Sequence, residues 1–85
     1  MKLNDGVEVE EVGEDVIVID TINGRFLELN QMGSIILNQL LQGTSVQDIA
    51  KELSETFGKP YYEAIVMIND FVKRLVELEI ICRYE

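Results

Sequence analysis

Cys82 is the only cysteine in the 85-residue chain, and the sequence contains no histidine. A thiol becomes a strong nucleophile when a neighbouring base or positive charge turns it into a thiolate, and histidine is the usual base. A single cysteine also excludes an intramolecular disulfide and a thiolate metal cluster. The favoured interpretation of Cys82 is a small apolar residue in a terminal segment. The sequence therefore predicts a protein that is not an enzyme and that carries no cofactor or metal.

Main-chain recognition is the chemistry that the sequence does support, and it centres on the stretch Gly24–Asn30, GRFLELN. Asn23-Gly24 suits the positive φ angles of a hairpin turn, and a helical pattern follows Asn30. We interpret the stretch as the last strand of a small antiparallel sheet. In a simple meander this strand lies at an edge, so one row of its N–H and C=O groups has no partner. Such a row is a template for an added peptide strand.

Composition indicates one small folded domain spanning residues 1–85. Apolar residues make up 47% of the chain and charged residues 27%, the balance of a globular protein. No apolar run approaches the roughly 18 residues that cross a bilayer, and no signal-peptide core begins the chain, so we expect a cytoplasmic protein. The formal net charge is −9, which repels a phosphate backbone. Neither nucleic acid nor membrane is expected as a partner.

Three strands are predicted in the first part of the chain. Val7–Glu10 alternates with period two and Val16–Ile19 is a β-branched run, both typical of strands. If the loop before the third strand has four residues, Asp20 faces Arg25 across the hairpin as a favourable charge pair. Whether that loop has two or four residues, one face of the hairpin holds Val16, Val18, Asp20, Arg25, Leu27 and Leu29, and the other holds Ile17, Ile19, Phe26 and Glu28.

Two helices are predicted next. Asn30 is a good N-cap for a helix over Gln31–Leu41, and Thr44 or Ser45 caps a second helix over Val46–Phe57. The predicted buried stripe of the second helix is Val46, Ile49, Ala50, Leu53 and Phe57.

A third helix is predicted from Pro60, a residue suited to the first helical position, to about Leu78. Its apolar arc is wider than one packing contact requires. Either this longest helix packs on two neighbours, or one flank of it lines a groove beside the edge strand. That flank comprises Met67, Asp70, Phe71 and Arg74. We expect residues 1–5 to be loose and residues 79–85 to form a short tail with a few extended residues.

The sequence resembles the PqqD-like proteins, also called RiPP recognition elements, over about Val7 to Ile81. Order and spacing carry the resemblance, since no single motif is diagnostic. Three runs contribute to it: Asp20-x-x-x-Gly24-Arg25-Phe26-Leu27-x-Leu29-Asn30-x-x-Gly33-x-x-Ile36, then Gly43-Thr44-Ser45-Val46-x-x-Ile49-Ala50-x-x-Leu53, then Ile68-x-x-Phe71-Val72-x-x-Leu75.

The resemblance implies an α+β, winged-helix-like fold, with a three-stranded antiparallel sheet followed by three helices. It implies a domain that binds the leader segment of a ribosomally made precursor peptide as a strand beside the third strand and third helix. The domain itself carries no chemistry and presents the precursor to a leader peptidase and a cyclase or another modifying enzyme. The implied peptide-binding residues are Arg25, Phe26, Leu27, Glu28 and Leu29 on the strand and Met67, Asp70, Phe71 and Arg74 on the helix.

Two departures from the family pattern affect these expectations. Members often carry an acid where Met67 stands, so a polar contact to the leader is absent or replaced here. Many also have a glycine before the last apolar pair, where this chain has Glu79, so the third helix runs longer or closes differently. A freestanding chain of this size is most similar to the leader-binding protein of lasso-peptide pathways, and a PqqD-type role in cofactor biosynthesis is the close alternative.

Other interpretations remain open from the residues alone. Leu27 and Leu29 suit a core as well as a contact surface, and Asp70 with Arg74 suits a plain i, i+4 pair. A winged-helix module for DNA binding or regulation has the same outline, although its recognition helix should be basic. The protein is expected to be a monomer, with a dimer formed by two paired edge strands as the alternative.

Overall fold

The protein is described by a computed structural model that covers residues 1–82. Within these residues, five strands and three helices follow one another in the order β1 Lys2–Leu3, β2 Val7–Val12, β3 Asp15–Asp20, β4 Arg25–Leu29, α1 Gln31–Leu41, α2 Val46–Phe57, α3 Tyr61–Glu77 and β5 Ile81–Cys82. The predicted α+β class, a three-stranded antiparallel sheet followed by three helices, is confirmed.

The sheet is an antiparallel meander in the order β2-β3-β4. Asp20 pairs with Arg25 at the β3–β4 turn, as the four-residue loop predicts, and an Arg25 Nη2 lies 3.0 Å from an Asp20 carboxylate oxygen. Val18 and Leu29 face the core, 1% and 5% exposed. The two faces predicted for the hairpin are therefore correct, and β4 lies at an edge of the sheet.

The N-terminal residues are not loose, contrary to the expectation for residues 1–5. Lys2 pairs with Cys82 and Leu3 with Ile81, which makes β1 and β5 a second, two-stranded sheet. The Asn4 side chain also donates to the Glu79 carbonyl at 2.7 Å. A two-residue strand has no periodic pattern, and its partner lies at the far end of the chain, so local sequence gives no sign of this pairing.

Side-chain N-caps fix the first residues of α1 and α2 at the predicted positions. Asn30 accepts from the Gly33 N–H at 2.8 Å, and Ser45 accepts from the Asp48 N–H at 3.1 Å. Each bond satisfies an N–H that has no partner inside its helix. The third helix begins one residue later than predicted, because Pro60 is its N-cap rather than its first residue.

Helix α3 closes in a Schellman motif in which Glu79 takes the place usually held by glycine. Glu79 has a left-handed φ of 60°. Its N–H donates to the Val76 carbonyl at 3.0 Å, and the Ile80 N–H donates to Leu75 at 2.9 Å. These are the two bonds that define the motif. The helix therefore ends at Glu77. Glu79 stands where a glycine was expected, but the helix still closes in the motif that glycine usually forms.

The core lies between the inner sheet face and the three helices. Its fully buried centre comprises Val18, Leu37, Leu40, Ile49, Leu53, Ile68, Val72, Leu75 and Ile81. Phe57, predicted in the buried stripe of α2, is 39% exposed because it is the last residue of that helix. Among residues 1–82, no helix is long and apolar enough to cross a membrane.

Candidate peptide-binding edge and groove

The outward main-chain groups of β4 follow from the sheet register. The Thr21 N–H donates to the Gly6 carbonyl at 2.9 Å, so Gly6 and Thr21 form a hydrogen-bonded pair. The next facing pair along the ladder, Val7 and Asp20, is therefore a non-hydrogen-bonded pair. Hydrogen-bonded and non-hydrogen-bonded pairs alternate along an antiparallel ladder. The main-chain groups of Ile17 and Ile19 therefore point to β2.

The same alternation directs the main-chain groups of Val18 and Asp20 toward β4, where their partners are Leu27 and Arg25. The N–H and C=O groups of Arg25, Leu27 and Leu29 are therefore hydrogen-bonded to β3. Phe26 and Glu28 turn theirs away from the sheet. These outward groups are the donors and acceptors that an added strand would use.

The two sheet edges differ in charge. Strand β2 at the opposite edge has the sequence VEVEEV, and the exposed acids Glu8, Glu10 and Glu11 lie on it. Charged side chains are a common device that keeps an edge strand from pairing. Strand β4 carries one base, Arg25, and one acid, Glu28. The β4 edge is therefore the more receptive of the two to a further strand.

A groove of about 330 Å³ runs between β4 and α3, and it is mainly apolar. Leu27 and Leu29 form the strand side, while Met67 and Phe71 form the helix side. Phe71 and Met67 are half-buried, so both keep surface for a ligand. The groove opens beside the unpaired edge, which places apolar contacts next to main-chain hydrogen-bonding groups.

The predicted site residues do not all lie in this groove. Leu27, Glu28, Leu29, Met67, Phe71 and Arg74 line it, and Asp70 lies in an adjoining depression of about 230 Å³ with Met67, Phe71 and Arg74. Within residues 1–82, no ion pair joins Asp70 to Arg74. Phe26 projects from the opposite sheet face and is 76% exposed. Arg25 lies outside the groove, at the turn.

Sequence reasoning missed the start of α1, where the N-cap Asn30 and the residues Met32, Gly33 and Ile36 of the first two turns line the groove. A Cβ built at Gly33 would lie 3.5 Å from the Leu29 Cβ. That is an ordinary van der Waals distance, so Gly33 lies directly against the strand side of the groove. The signal was present, since Gly33 interrupts a helix pattern one turn after the edge strand.

Asp20 and Arg25 organise the turn that begins β4. Asp20 is buried and accepts hydrogen bonds from the Asn23 side chain at 2.8 Å, from the Asn23 and Ile22 N–H groups, and from Arg25. These bonds, those from Asn23 foremost, lower the pKa of Asp20 to about 2, against the opposing effect of burial. Arg25 Nη2 also donates to the Leu78 carbonyl at 2.6 Å, which joins the turn to the end of α3.

The arrangement offers binding chemistry. Within residues 1–82, no group of three or more potential metal ligands converges. The groove walls are apolar, and Arg74 lies at one side. Glu28 borders the groove, but its side chain points to the outer face of the sheet, as that of Phe26 does. An extended peptide with apolar side chains at alternate positions fits such a site, because alternate residues of a strand point to the same side.

Comparisons with known proteins agree with the fold. The family model described as coenzyme PQQ synthesis protein D (PqqD) matches residues 15–81. No curated protein sequence matches the chain.

Two solved structures share the whole architecture. One is TbiB1 in complex with the TbiA(beta) leader peptide, at a TM-score of 0.88 and 21% identity over 100% of this chain and 99% of that chain. The other is a lasso peptide synthetase B1 complexed with the leader peptide, at a TM-score of 0.89 and 24% identity over 93% of each chain. At these identities the likeness establishes a common fold.

Proposed function

The chain belongs to the PqqD family, and from this premise we propose that it binds the leader segment of a ribosomally made precursor peptide as a strand added to β4. The observation that carries the proposal is the position of the outward N–H and C=O groups of Phe26 and Glu28 directly beside the apolar groove. Main-chain pairing gives register and part of the affinity, while pockets for alternate side chains give specificity.

The leader strand runs along β4 and turns alternate side chains into the groove. There they meet Leu27 on the strand side and Met67 and Phe71 on the helix side. Arg74 is exposed at the groove and has no ion pair with Asp70 within residues 1–82, so it is available to an acidic group of the leader. Apolar contacts supply most of the affinity, and Arg74 with Asp70 and Glu28 steers charged leaders.

In this function the domain acts without catalysis. It holds the precursor and presents it to separate enzymes, a leader peptidase and a cyclase in the lasso-peptide type that we favour. The two solved structures compared above are both leader-peptide complexes, and one of them is a lasso peptide synthetase B1. The family description favours the second candidate, binding of the precursor of the cofactor pyrroloquinoline quinone.

DNA binding fits the surface poorly. The exposed charged positions of α3 are Glu63, Asp70, Lys73, Arg74 and Glu77, so acids outnumber bases on the helix that would enter a groove of DNA. A recognition helix should instead present a basic face.

Titration of the isotope-labelled protein with the leader peptide encoded beside its gene tests the proposal. We expect amide shifts confined to residues 24–29, the first turn of α1, and the flank of α3 that carries Met67 and Phe71. A matched peptide with the same composition in scrambled order should cause no such shifts. Shifts spread over α2, or none at high micromolar leader, would contradict strand addition at β4. Titration with a precursor of the cofactor type separates the two product classes.

Self-pairing of two β4 edges would block the leader, and it has its own signature. Sedimentation of the free protein over a range of concentrations should give a single monomeric species. A dimer that leader peptide does not dissociate would contradict the proposal.

A further inference from the structure

The side chain of Arg25 joins the start of β4 to the end of α3. Its Nη2 atom donates to an Asp20 carboxylate oxygen at 3.0 Å and to the Leu78 carbonyl oxygen at 2.6 Å. Asp20 lies opposite Arg25 on β3, and Leu78 is the C-cap of α3. One guanidinium nitrogen therefore connects both strands of the hairpin with the helix that forms the other side of the groove.

Open space separates β4 from α3 along the strand. The groove lies between them at the Leu29 end, and a mainly apolar cavity of about 160 Å³ lies beside Arg25 at the hairpin end. Leu27 lines both spaces, and Leu78 and Ile80 line the cavity from the side of the helix. Close packing of side chains normally fixes the distance between two elements. Because packing is incomplete here, the bond from Arg25 to Leu78 fixes the distance between β4 and the end of α3.

The segment that follows α3 is also bonded to the N-terminal residues. The Asn4 side chain donates to the Glu79 carbonyl at 2.7 Å, and the Asn4 N–H donates to the Ile80 carbonyl at 2.9 Å. These two bonds tie the segment to the residue after β1, a strand of the second sheet. Of the three bonds to successive carbonyls, the one from Arg25 is therefore the bond that reaches β4.

Charge favours this bond. The Leu78 carbonyl lies at the C-terminal end of a 17-residue helix, where the last carbonyls have no partner within the helix and carry partial negative charge. Glu77 and Glu79 lie around the same polar depression as Arg25. A guanidinium remains positively charged in proteins, and a hydrogen bond from a charged donor is stronger than one between neutral groups. Arginine is therefore well suited to hold this helix end.

We propose that Arg25 is a positioning residue for leader binding. It holds the end of α3 at a fixed distance from β4, and the groove therefore has the width that the leader strand requires before the leader arrives. This inference rests on the proposed function. Arg25 acts through α3 and does not touch the leader, a role that differs from the direct contact implied by the family resemblance.

Loss of this bond changes the free protein rather than the contacts of the bound leader. Without it, the end of α3 samples positions farther from β4, and only a fraction of the molecules has a groove that fits the leader. The apparent Kd rises by the inverse of that fraction. Association slows because fewer molecules are competent, while dissociation is unchanged because the bound state keeps its contacts. Loss of a direct contact would instead speed dissociation.

Two substitutions at Arg25 test the proposal. Arg25→Gln removes the charge and shortens the side chain. Arg25→Lys keeps the charge opposite Asp20, but its side chain is one atom shorter and does not span the distance to Leu78. Slower association in the lysine variant is therefore not a loss of electrostatic steering. The control is Lys73→Gln, which changes net charge as Arg25→Gln does, at an exposed position of α3 that does not line the groove.

Two measurements separate positioning from plain stabilisation. Stopped-flow fluorescence with a labelled copy of the leader peptide encoded beside the gene gives both rate constants, at a temperature where every variant is folded. Amide hydrogen exchange of the free proteins reports on the last turn of α3, which the N–H groups of Leu78 and Ile80 close through bonds to Arg74 and Leu75.

We expect both Arg25 variants to associate with leader about three- to tenfold more slowly, with dissociation within about twofold of the natural protein and faster exchange at Leu78 and Ile80. Lys73→Gln should change none of these. Faster dissociation with unchanged association would show a direct contact and overturn the proposal. Unchanged rate constants in folded variants would also overturn it, whatever their melting temperatures. If the natural protein binds no leader while the variants still exchange faster at Leu78 and Ile80, the proposed leader function is wrong and the bond still holds α3.

Discussion

Replacing Glu28 with proline probes the hydrogen bonds that an added leader strand would make. The Glu28 N–H points away from β3, so proline removes a donor that the folded protein does not use. Proline is tolerated on edge strands whose N–H faces solvent. It also favours an extended conformation in the residue before it, here Leu27, which β4 already requires. The fold should therefore survive the substitution.

The expected loss follows from the number of bonds available. Phe26 and Glu28 offer two outward N–H and two outward C=O groups. Removing one main-chain bond loses about 1 kcal/mol and leaves a leader carbonyl without a donor, so the total is about 1–2 kcal/mol. The Kd for leader should rise about 5- to 30-fold.

Fluorescence anisotropy of a labelled leader measures this loss, with Glu28→Ala as the matched control because it removes the carboxylate and keeps the N–H. A second control, Leu27→Pro, removes a bond to Val18 inside the sheet and should lower the free energy of unfolding by about 1–3 kcal/mol. If folded Glu28→Pro protein binds leader as tightly as Glu28→Ala protein, the leader does not pair with this edge.

Three further predictions concern the helix flank, the left-handed residue and the buried carboxylate. Met67→Glu and Arg74→Glu should each leave the melting temperature nearly unchanged and weaken leader binding, which calorimetric titration measures. Normal binding by both variants would show that the leader does not contact this flank of α3. Glu79→Gly should raise the free energy of unfolding by about 0.5–1 kcal/mol, because a left-handed φ strains any residue with a Cβ. Urea unfolding measures this free energy, and a decrease in the variant would contradict the strain. Asp20 has its pKa lowered from 3.8 to about 2, so its contribution to stability is full above pH 3.8 and disappears as the pH falls toward 2. Urea unfolding between pH 5 and pH 2 should show the free energy of unfolding of the natural protein falling toward that of the Asp20→Asn variant. A constant difference between the two proteins over this range would refute the assignment.

Local signals predicted most of the fold. The facing pair of Asp20 and Arg25 fixes the hairpin register, because a one-residue slip would move every side chain to the other face. Of the two turn residues, Gly24 has the predicted positive φ, at 66°, and Asn23 does not. Asn30 and Ser45 fix the helix starts through bonds made within one turn. Each of these features depends on residues that are neighbours in the sequence, and each, apart from the φ of Asn23, is found in the structure.

Features that depend on distant neighbours could not be predicted in this way. The pairing of β1 with β5 brings together the two ends of the chain. Likewise, α1 forms one wall of the groove, and only the packing of the three helices places Met32 and Gly33 opposite Phe71. The sequence indicated the strand and one helix flank of the candidate site, but it could not supply the third wall.

Hydrogen exchange of the β4 amides tests leader addition most directly. In the free protein, the N–H groups of Leu27 and Leu29 are bonded to β3 and should exchange slowly, while those of Phe26 and Glu28 point outward and should exchange fast. Saturating leader peptide should slow exchange at Phe26 and Glu28 selectively, with little change at the exposed residues of β2. Bound leader that leaves Phe26 and Glu28 exchanging at their free rates would contradict strand addition at this edge.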